Sequence, residues 1–383
     1  MRAASRSDSM RGGGRVAGGP EFLWRLPSRG DGRRADPGLR RRGGFGAPPP
    51  VTAVTDPRPG RFGPFDDLHQ IVHAAELSGL DGVLAPYDPL GEESWIVGAG
   101  ALRATRHARV VVEFHPAFGT PVYAAKVATT LQRISHGRLS WRIAVETDEA
   151  DARARGDRVT GADRYARAAE FLAVARGVWN ETSVPGAGFA GTGFDFDGEH
   201  YDVVDGGFRG ILSGLPFPTV YLSGTSSPAL ELSARHGDVH VFTETPDGIT
   251  TSVTELRERA TAAGRTVRAG IEIPVIARET EQEALARVHR QWNEVAPEGT
   301  AEALDLGDGR WAGFAELGYP QPIGLVGSYE QVARRLSDYI DAGIETIVLS
   351  GHPHIEEVHR TGEHLLHLVD PAGRTLAAQE ATA

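Results

Sequence analysis

Runs of consecutive apolar residues alternate along most of the chain with longer segments in which apolar residues recur every three or four positions. The continuous runs predict strands that are covered on both faces, and the periodic segments predict amphipathic helices. The predicted strands span residues 21–26, 81–86, 108–114, 137–145, 218–224, 238–243, 268–277 and 345–351. The predicted helices span residues 65–80, 92–105, 121–135, 162–179, 227–237, 253–264, 281–295 and 328–343. Regular alternation with eight strands predicts an α/β fold, the (β/α)8 TIM barrel.

An open, doubly wound sheet is the main alternative for alternating strands and helices. Open sheets of this kind that bind dinucleotides carry the glycine fingerprint G-x-G-x-x-G after an early strand. The segments that follow the first predicted strands do not contain that fingerprint. The closed barrel is therefore the architecture that we expect.

The boundaries of the barrel follow from changes in composition. Residues 1–20 are rich in Gly, Arg and Ser and poor in apolar residues, which predicts a disordered tail. Residues 21–372 are expected to form a single barrel domain, with a long loop over 28–62. A glycine-rich insertion at about 180–215 interrupts the alternation and contains a predicted hairpin, FDFDGEHYDV. Residues 373–383 are expected to form a flexible C-terminal tail.

Composition restricts the classes of function. The 383 residues include no cysteine, which excludes disulfides, thiolate metal sites and cysteine nucleophiles. The formal net charge of −11 argues against nucleic-acid or anionic-membrane partners. The chain also lacks an apolar run long enough for a membrane span. We therefore expect a soluble, cytoplasmic protein that acts on small molecules.

Polar side chains follow several predicted strands at their carboxyl ends, where (β/α)8 barrels gather their active sites. Arg29 follows the first strand, Tyr87 the second and His115 the third. Glu272 lies in the seventh strand, and His352 follows the eighth. These five side chains are candidates for contact with substrate or for proton transfer.

Four glutamates near strand ends could hold a metal ion, although carboxylates of this kind more often pair with arginine, which is plentiful here. They are Glu113, Glu146, Glu244 and Glu272. Three histidines also lie close together in the C-terminal segment LSGHPHIEEVHR, at positions 352, 354 and 359. We expect His359 to point away from the barrel mouth, and we predict no metal site.

The segment YLSGTSSPAL contains the clearest candidate for a binding turn. A predicted strand runs through small polar residues directly into the start of a helix. Backbone amides at a helix N-terminus and the hydroxyls of Thr225, Ser226 and Ser227 would suit a phosphate. A serine that simply caps the helix, without any ligand, explains the spacing equally well.

Several stretches together resemble the alkanesulfonate monooxygenase branch of the bacterial-luciferase-like flavin enzymes, in the same order from about residue 22 to residue 370. They include LWRLPSRGDG, TPVYAAKVATTLQRISHGRL, YLSGTSSPALELSARHGDVHVFTETP and LVGSYEQVARRLSDYIDAGIETIVLSGHPHIEEVHR. The resemblance implies a luciferase-like barrel that uses reduced FMN, supplied by a separate flavin reductase, with O2 as co-substrate. It also implies an oxidoreductase that forms a homo-dimer or homo-tetramer.

The same resemblance assigns the cofactor-binding positions. These are Arg142, Glu146, Arg164, Tyr165, Ser223, Gly224, Thr225 and Ser226. Hydroxyls, backbone amides and a guanidinium suit an anionic phosphate. Glu146, however, stands where the family has glycine. A carboxylate there would crowd and repel a phosphate unless Arg142 or Arg164 pairs with it.

The positions that resemble the sulfonate site depart from the family pattern. Arg29 replaces a histidine, Thr243 a tryptophan and His352 a tyrosine, while Glu272 replaces an arginine. Residues 311–327 stand in place of the family's longer mobile loop. Because Glu272 replaces a cation with an anion, it would repel a sulfonate, so we expect a different small organic substrate.

The predicted function is a reduced-FMN- and O2-dependent monooxygenase. Its predicted catalytic residues are His352, His115 and Glu272, and its predicted substrate-binding residues are Arg29, Tyr87 and Thr243. Two alternatives remain open at this stage. One is a non-catalytic luciferase-like partner subunit or degenerate homologue, and the other is a dehydrogenase that uses the deazaflavin F420.

Overall fold

The computed structural model describes residues 19–29, 64–181, 193–208, 215–295 and 298–370. The strands are β1 (Glu21–Arg25), β2 (Gly82–Ala85), β3 (Arg109–Phe114), β4 (Leu139–Ile143), β5 (Phe194–Asp197), β6 (Asp202–Gly206), β7 (Thr219–Ser223), β8 (Val239–Thr243), β9 (Arg268–Arg278), β10 (Asp305–Gly307), β11 (Arg310–Trp311), β12 (Gly324–Ser328) and β13 (Ile344–Ser350). The helices are α1 (Pro64–Leu77), α2 (Ser94–Ala104), α3 (Pro121–Ser135), α4 (Glu149–Ala154), α5 (Asp163–Trp179), α6 (Ser227–His236), α7 (Thr250–Ala262), α8 (Glu281–Val295), α9 (Tyr329–Asp341), α10 (His354–Arg360) and α11 (Leu366–Val369).

Eight parallel strands close into a barrel in the order β1, β2, β3, β4, β7, β8, β9 and β13, and β13 returns to pair with β1. Each of the eight coincides with a predicted strand to within one or two residues, so the predicted (β/α)8 fold is confirmed. In the described residues, no helix has the combination of length and apolar character that a bilayer span requires. The predicted tails, except Gly19 and Pro20, and most of the predicted long loop lie outside the described residues.

The barrel interior is filled in layers, as is usual for this fold. At the amino ends of the strands, the Glu21 carboxylate pairs with Arg109 and accepts hydrogen bonds from the Tyr221 hydroxyl at 2.8 Å and from Thr346 Oγ1 at 3.0 Å. The middle layer is apolar and includes Leu23, Leu84, Val111, Val241 and Val348. Charged side chains return only at the carboxyl ends, where they form the floor of the barrel mouth.

The predicted hairpin is confirmed as β5 and β6, which pair in antiparallel fashion. The Glu170 carboxylate on α5 fastens its turn, because it accepts hydrogen bonds from the backbone amides of Glu199, His200 and Tyr201 at 2.9–3.1 Å. The hairpin is therefore attached to the helix that precedes it along the chain.

The segment that stands in place of the family's mobile loop has a structure that the sequence did not predict. β9 continues beyond the barrel, and its end pairs with β12 in the register Val275 to Leu325. β12 also pairs with β11, and β11 with β10. A small second core of aromatic and aliphatic side chains fills this region, including Trp292, Trp311, Phe314 and Tyr319. Residues 311–327 therefore pack against the barrel.

Candidate active site at the barrel mouth

Four alternating charges form the floor of the barrel mouth, and we call them the mouth cluster: Arg25, Glu113, Arg142 and Glu272. Arg142 lies between the two carboxylates, with Nη1 2.5 Å from Glu272 Oε2 and Nε 3.0 Å from Glu113 Oε1. Arg25 Nη1 is 2.6 Å from the other oxygen of Glu272. The backbone amide of Tyr87 donates to Glu113 at 3.0 Å. The two positive and two negative charges balance, so the floor of the mouth is electrically neutral.

The mouth cluster determines the protonation of Glu272. Burial alone would raise its pKa, but the guanidiniums of Arg142 and Arg25 outweigh burial and lower the pKa to about 2. Since Glu272 stays ionised and its oxygens are held by two cations, this geometry disfavours the acid–base role that the sequence suggested. The structure also places Arg142 inside the barrel, away from the cofactor-phosphate role expected of it.

The other two glutamates considered for a metal lie in different surroundings. Glu244 accepts a hydrogen bond from the Tyr339 hydroxyl and lies 3.6 Å from Arg310 Nη1. Glu146 accepts from hydroxyls at the turn after β7. Within the described ranges, no three His, Asp or Glu side chains are grouped so that they could ligate a metal ion.

The turn after β7 brings together several predicted cofactor residues. The hydroxyls of Tyr165 and Ser226 lie 2.8 Å apart, and both donate to Glu146 Oε1, Ser226 at 2.9 Å. Ser226 is also the N-cap of α6 and accepts from the Ala229 amide at 3.3 Å. Gly224 has φ +126°, in the region that favours glycine. Ser226 therefore agrees with both predictions for this segment. Its hydroxyl caps α6, and it also contacts an anion, the carboxylate of Glu146.

A buried histidine holds this turn in place. His240 Nε2 donates to the Gly224 carbonyl at 3.0 Å, and His240 Nδ1 accepts from Ser233 Oγ at 2.7 Å. Burial is the main reason that the pKa of His240 falls to about 4, so the ring is neutral near pH 7. Sequence reasoning missed His240, although its place in a continuously apolar strand is a signal of a buried polar anchor.

The remaining predicted cofactor residues do not complete a phosphate site. Arg164 donates to the backbone carbonyls of Thr147 at 2.7 Å and Val159 at 3.0 Å. Thr225 is exposed to solvent. Within the described residues neither Arg142 nor Arg164 forms an ion pair with Glu146. Arg142 belongs to the mouth cluster, and Arg164, although it lines the same pocket as Glu146, donates to backbone carbonyls. The residues at this turn therefore do not fit the phosphate of FMN.

His115 and Tyr87 follow β3 and β2 at the carboxyl ends of the strands. His115 Nδ1 accepts from the Ala117 amide at 3.1 Å, so the proton of the neutral ring is on Nε2, which lies 3.9 Å from Asp157 Oδ2. Burial, and then the charge of Arg167, lower the pKa of His115 to about 4. The Tyr87 hydroxyl donates to Asp151 at 3.0 Å, and burial together with Asp151 raises the pKa of Tyr87 to about 12.

We expect the ring of His115 to titrate in the folded protein near pH 4, not near the usual value of about 6.5. The physical reason is burial beside Arg167, which disfavours the charged imidazolium. The measurement is a pH series of histidine carbon–proton NMR spectra, with the His115 signal assigned by its loss in a His115→Gln variant. A midpoint between about pH 6 and 7 would contradict the burial argument and would restore His115 as a proton carrier.

An aromatic cavity of about 450 Å³ adjoins Tyr87 and His115 at the carboxyl ends of β2 and β3. Its lining includes Trp95, Phe114, Phe118 and Tyr123. Phe114 packs on Trp95 with ring centroids 4.7 Å apart. Sequence reasoning missed Trp95, which stands near the start of a predicted helix. A cavity of this size and composition suits a small, largely apolar molecule.

His352 lies beneath the segment 311–327. Its backbone amide donates to the Tyr319 hydroxyl at 2.9 Å, and its ring centroid is 4.2 Å from that of Tyr319. The neighbouring His354 accepts a hydrogen bond from Trp24 Nε1 at 3.1 Å, which joins the turn after β13 to β1. The His352 side chain is 6% exposed, so access to it depends on Tyr319.

The predicted substrate residues occupy the rim and the end of β8. Arg29 pairs with Asp88, its Nε lying 3.1 Å from Asp88 Oδ2, and more than half of the Arg29 side chain is exposed. Thr243 is half-buried and stands opposite Glu272 in the pairing of β8 with β9. The loops after β1 and β2 are thus joined by an ion pair at the edge of the mouth.

Solved structures similar to this chain share its fold. A riboflavin lyase, solved with modified FMN and its substrate riboflavin, is 18% identical, with 94% of this chain and 93% of that chain covered and a TM-score of 0.69. An EDTA monooxygenase from Chelativorans sp. BNC1 is 16% identical, with 93% and 95% covered and a TM-score of 0.69. An F420-dependent secondary alcohol dehydrogenase in complex with an F420–acetone adduct is 15% identical, with 93% and 100% covered and a TM-score of 0.62.

A family profile described as luciferase-like monooxygenase matches residues 45–346. The match runs from before β2 into β13 and includes the turn after β7, the mouth cluster except Arg25, and the aromatic cavity. The predicted likeness to luciferase-like enzymes is confirmed, while the alkanesulfonate branch stays a prediction. The chain belongs to the luciferase-like monooxygenase family.

Proposed function

We propose that the protein is a flavin-dependent monooxygenase whose substrate is a small, uncharged and largely apolar organic molecule. Reduced flavin would come from a separate reductase, and O2 would be the co-substrate. Membership of the luciferase-like monooxygenase family supports an oxidoreductase. Two observations carry the choice of substrate: the floor of the mouth is charge-neutral, and an aromatic cavity lies at the carboxyl ends of β2 and β3.

The mouth cluster explains why a sulfonate is a poor candidate. Glu272 was expected to repel it, but Arg25 and Arg142 neutralise that carboxylate. The same pairing engages both guanidiniums with carboxylates. An anionic substrate would have to break a buried ion pair to reach a cation of the mouth cluster, and that exchange is unfavourable. The floor therefore neither attracts nor strongly repels anions. An uncharged substrate can bind there without breaking an ion pair of the mouth cluster.

The chain's own residues would bind and shield such a substrate. Trp95, Phe114 and Phe118 would contact its apolar part and exclude water from it. The Tyr87 hydroxyl, fixed by Asp151, would orient a polar group of the substrate at the edge of the cavity. Reduced flavins supply the electrons for O2 chemistry in enzymes that use them.

Octan-1-ol should bind at least about tenfold more tightly than octane-1-sulfonate, because only the sulfonate needs a cation that the mouth does not offer. The pair is matched in chain length, and isothermal titration measures both. Trp95→Ala should weaken octan-1-ol binding by about tenfold through lost apolar contact. Equal or tighter binding of the sulfonate would contradict the proposed substrate class.

Turnover tests the reaction itself. The assay contains purified protein, flavin, a flavin reductase, reduced nicotinamide as the electron donor and oxygen-18 gas. One labelled oxygen atom should enter a substrate that binds in the cavity and the other should form water, as measured by mass spectrometry. Labelled hydrogen peroxide or water, with no labelled product from a substrate that binds in the cavity, would contradict a monooxygenase. The reductase partner, the homo-oligomer and the cytoplasmic location stay predictions.

A luciferase-like partner subunit that binds no flavin is the second candidate. The observation that favours it is Glu146 at the turn after β7, where a flavin phosphate was expected. Anaerobic titration with reduced flavins separates the two candidates, because a partner subunit should bind none of them. The same titration with reduced F420 tests hydride transfer by a deazaflavin, the activity named for one structural neighbour.

A further inference from the structure

The hydroxyls of Tyr165 and Ser226, together with Gly224, form what we call the anion seat. They converge on one carboxylate oxygen, Oε1 of Glu146. A Cβ atom built on Gly224 would lie only 2.9 Å from that same oxygen, so the absence of a side chain there lets the carboxylate approach the turn. The anion seat can hold an oxyanion, and in this structure that oxyanion is the carboxylate of Glu146.

We propose that Glu146 is a specificity-determining residue that makes the site select a flavin whose side chain ends in a hydroxyl over one that ends in a phosphate. This inference rests on the proposed function, because it requires that a flavin binds at the mouth. It names riboflavin, the flavin without the phosphate, as the form that the site accepts.

Charge is the first reason for this selection. A phosphate in the anion seat would lie beside the negative Glu146. Arg164 lines the same pocket, but within the described residues it forms no ion pair with Glu146. Arg164 donates to the carbonyls of Thr147 and Val159, and Arg142 is paired within the mouth cluster. A terminal hydroxyl, by contrast, can donate a hydrogen bond to the carboxylate, so the same residue that repels phosphate favours an alcohol.

The chain around Glu146 is the second reason, because it holds the carboxylate near the seat. On one side, Val145 is 4% exposed and belongs to the main core. On the other side, the Thr147 carbonyl accepts from Arg164, and Asp148 caps α4 by accepting from the amides of Ala150 and Asp151. With both neighbours anchored, the backbone at Glu146 stays beside the seat, and the hydroxyls of Tyr165 and Ser226 hold its carboxylate there.

The experiment is an anaerobic titration of the full chain with reduced riboflavin and, separately, with reduced FMN. Calorimetry measures the affinity in each case. The wild-type protein should bind riboflavin at least about tenfold more tightly than FMN, because of like-charge repulsion. Glu146→Gln should keep the hydrogen-bond acceptor and remove the charge. It should therefore tighten FMN binding by about tenfold while changing riboflavin binding little. Glu146→Gly should also let inorganic phosphate protect the protein against thermal unfolding.

Glu149→Gln is the matched control, since it removes the same charge from an exposed position on α4. It should leave the ratio of the two flavin affinities unchanged. Tighter binding of FMN than of riboflavin by the wild-type protein, or a ratio that Glu146→Gln does not move, overturns this inference alone. Failure of the wild-type protein and both Glu146 variants to bind either flavin overturns the proposed function and this inference with it.

Discussion

Replacement of Arg142 with leucine should lower the free energy of unfolding by about 3–5 kcal/mol, the usual result of breaking a buried ion pair from one side. The change removes the guanidinium that separates Glu113 from Glu272 and leaves Glu113 without its cation. The Arg142 side chain is about 10% exposed, so water does little to screen the remaining charges. Urea unfolding followed by circular dichroism measures the loss.

Two further variants separate charge from packing. Arg153→Leu removes a guanidinium whose partner is Glu149 on the exposed face of α4, and it should change stability by less than about 1 kcal/mol. Adding Glu113→Leu to Arg142→Leu removes the carboxylate that has lost its cation, while Glu272 keeps its pair with Arg25, and should recover part of the loss. Equal effects of Arg142→Leu and Arg153→Leu would show that the mouth cluster is solvated and that its charges are independent.

Acidification from about pH 7 to about pH 3 should lower the free energy of unfolding by about 4 kcal/mol or more, after allowance for solvent screening. Burial lowers the pKa of both His115 and His240 to about 4, below the unfolded value of about 6.5. Between about pH 6.5 and about pH 4, the unfolded chain therefore binds more protons than the folded chain. The stability that the neutral rings contribute is therefore complete above about pH 6.5 and is lost as the pH falls towards 4.

Two carboxylates extend the loss of folding stability to lower pH. Hydrogen bonds from Arg167 are the main cause that lowers the pKa of Asp157 to about 2, and Glu272 reaches about 2 through Arg142 and Arg25. Their stabilisation is present above about pH 4.3 and is lost as the pH falls towards 2. Urea unfolding at a series of pH values measures both windows, and Asp157→Asn should flatten the lower one. A free energy of unfolding that stays constant from about pH 7 to 5 would contradict the histidine argument.

The barrel itself could be predicted because its signals are local. Continuous apolar runs such as 108–114 and 238–243 indicate strands covered on both faces, and the periodic segments between them indicate helices that cover those faces. Each of these patterns depends on neighbouring residues along the chain. For that reason the predicted strands and the hairpin over 194–206 agree with the structure.

The candidate site was less predictable because its geometry depends on contacts between distant segments. His115 and Tyr87 were correctly placed at strand ends, but their partners Asp157 and Asp151 lie on later parts of the chain. His352 was expected in the open mouth. The structure instead places it beneath Tyr319, in a segment whose packing follows from the extension of β9 and not from its own pattern.

The sequence by itself determined the eightfold alternation, the absence of thiol chemistry and the likeness to luciferase-like enzymes, because composition and periodicity are properties of the chain alone. Only the tertiary structure decided which charges meet. Arg142 and Glu272 are 130 residues apart, and they pair because the register of the parallel strands brings both side chains to the same inner layer of the barrel. Glu146 likewise meets Tyr165 and Ser226 only where the ends of β4 and β7 converge. Electrostatic energy depends on distance in space, and strand register, which sequence spacing does not specify, sets that distance.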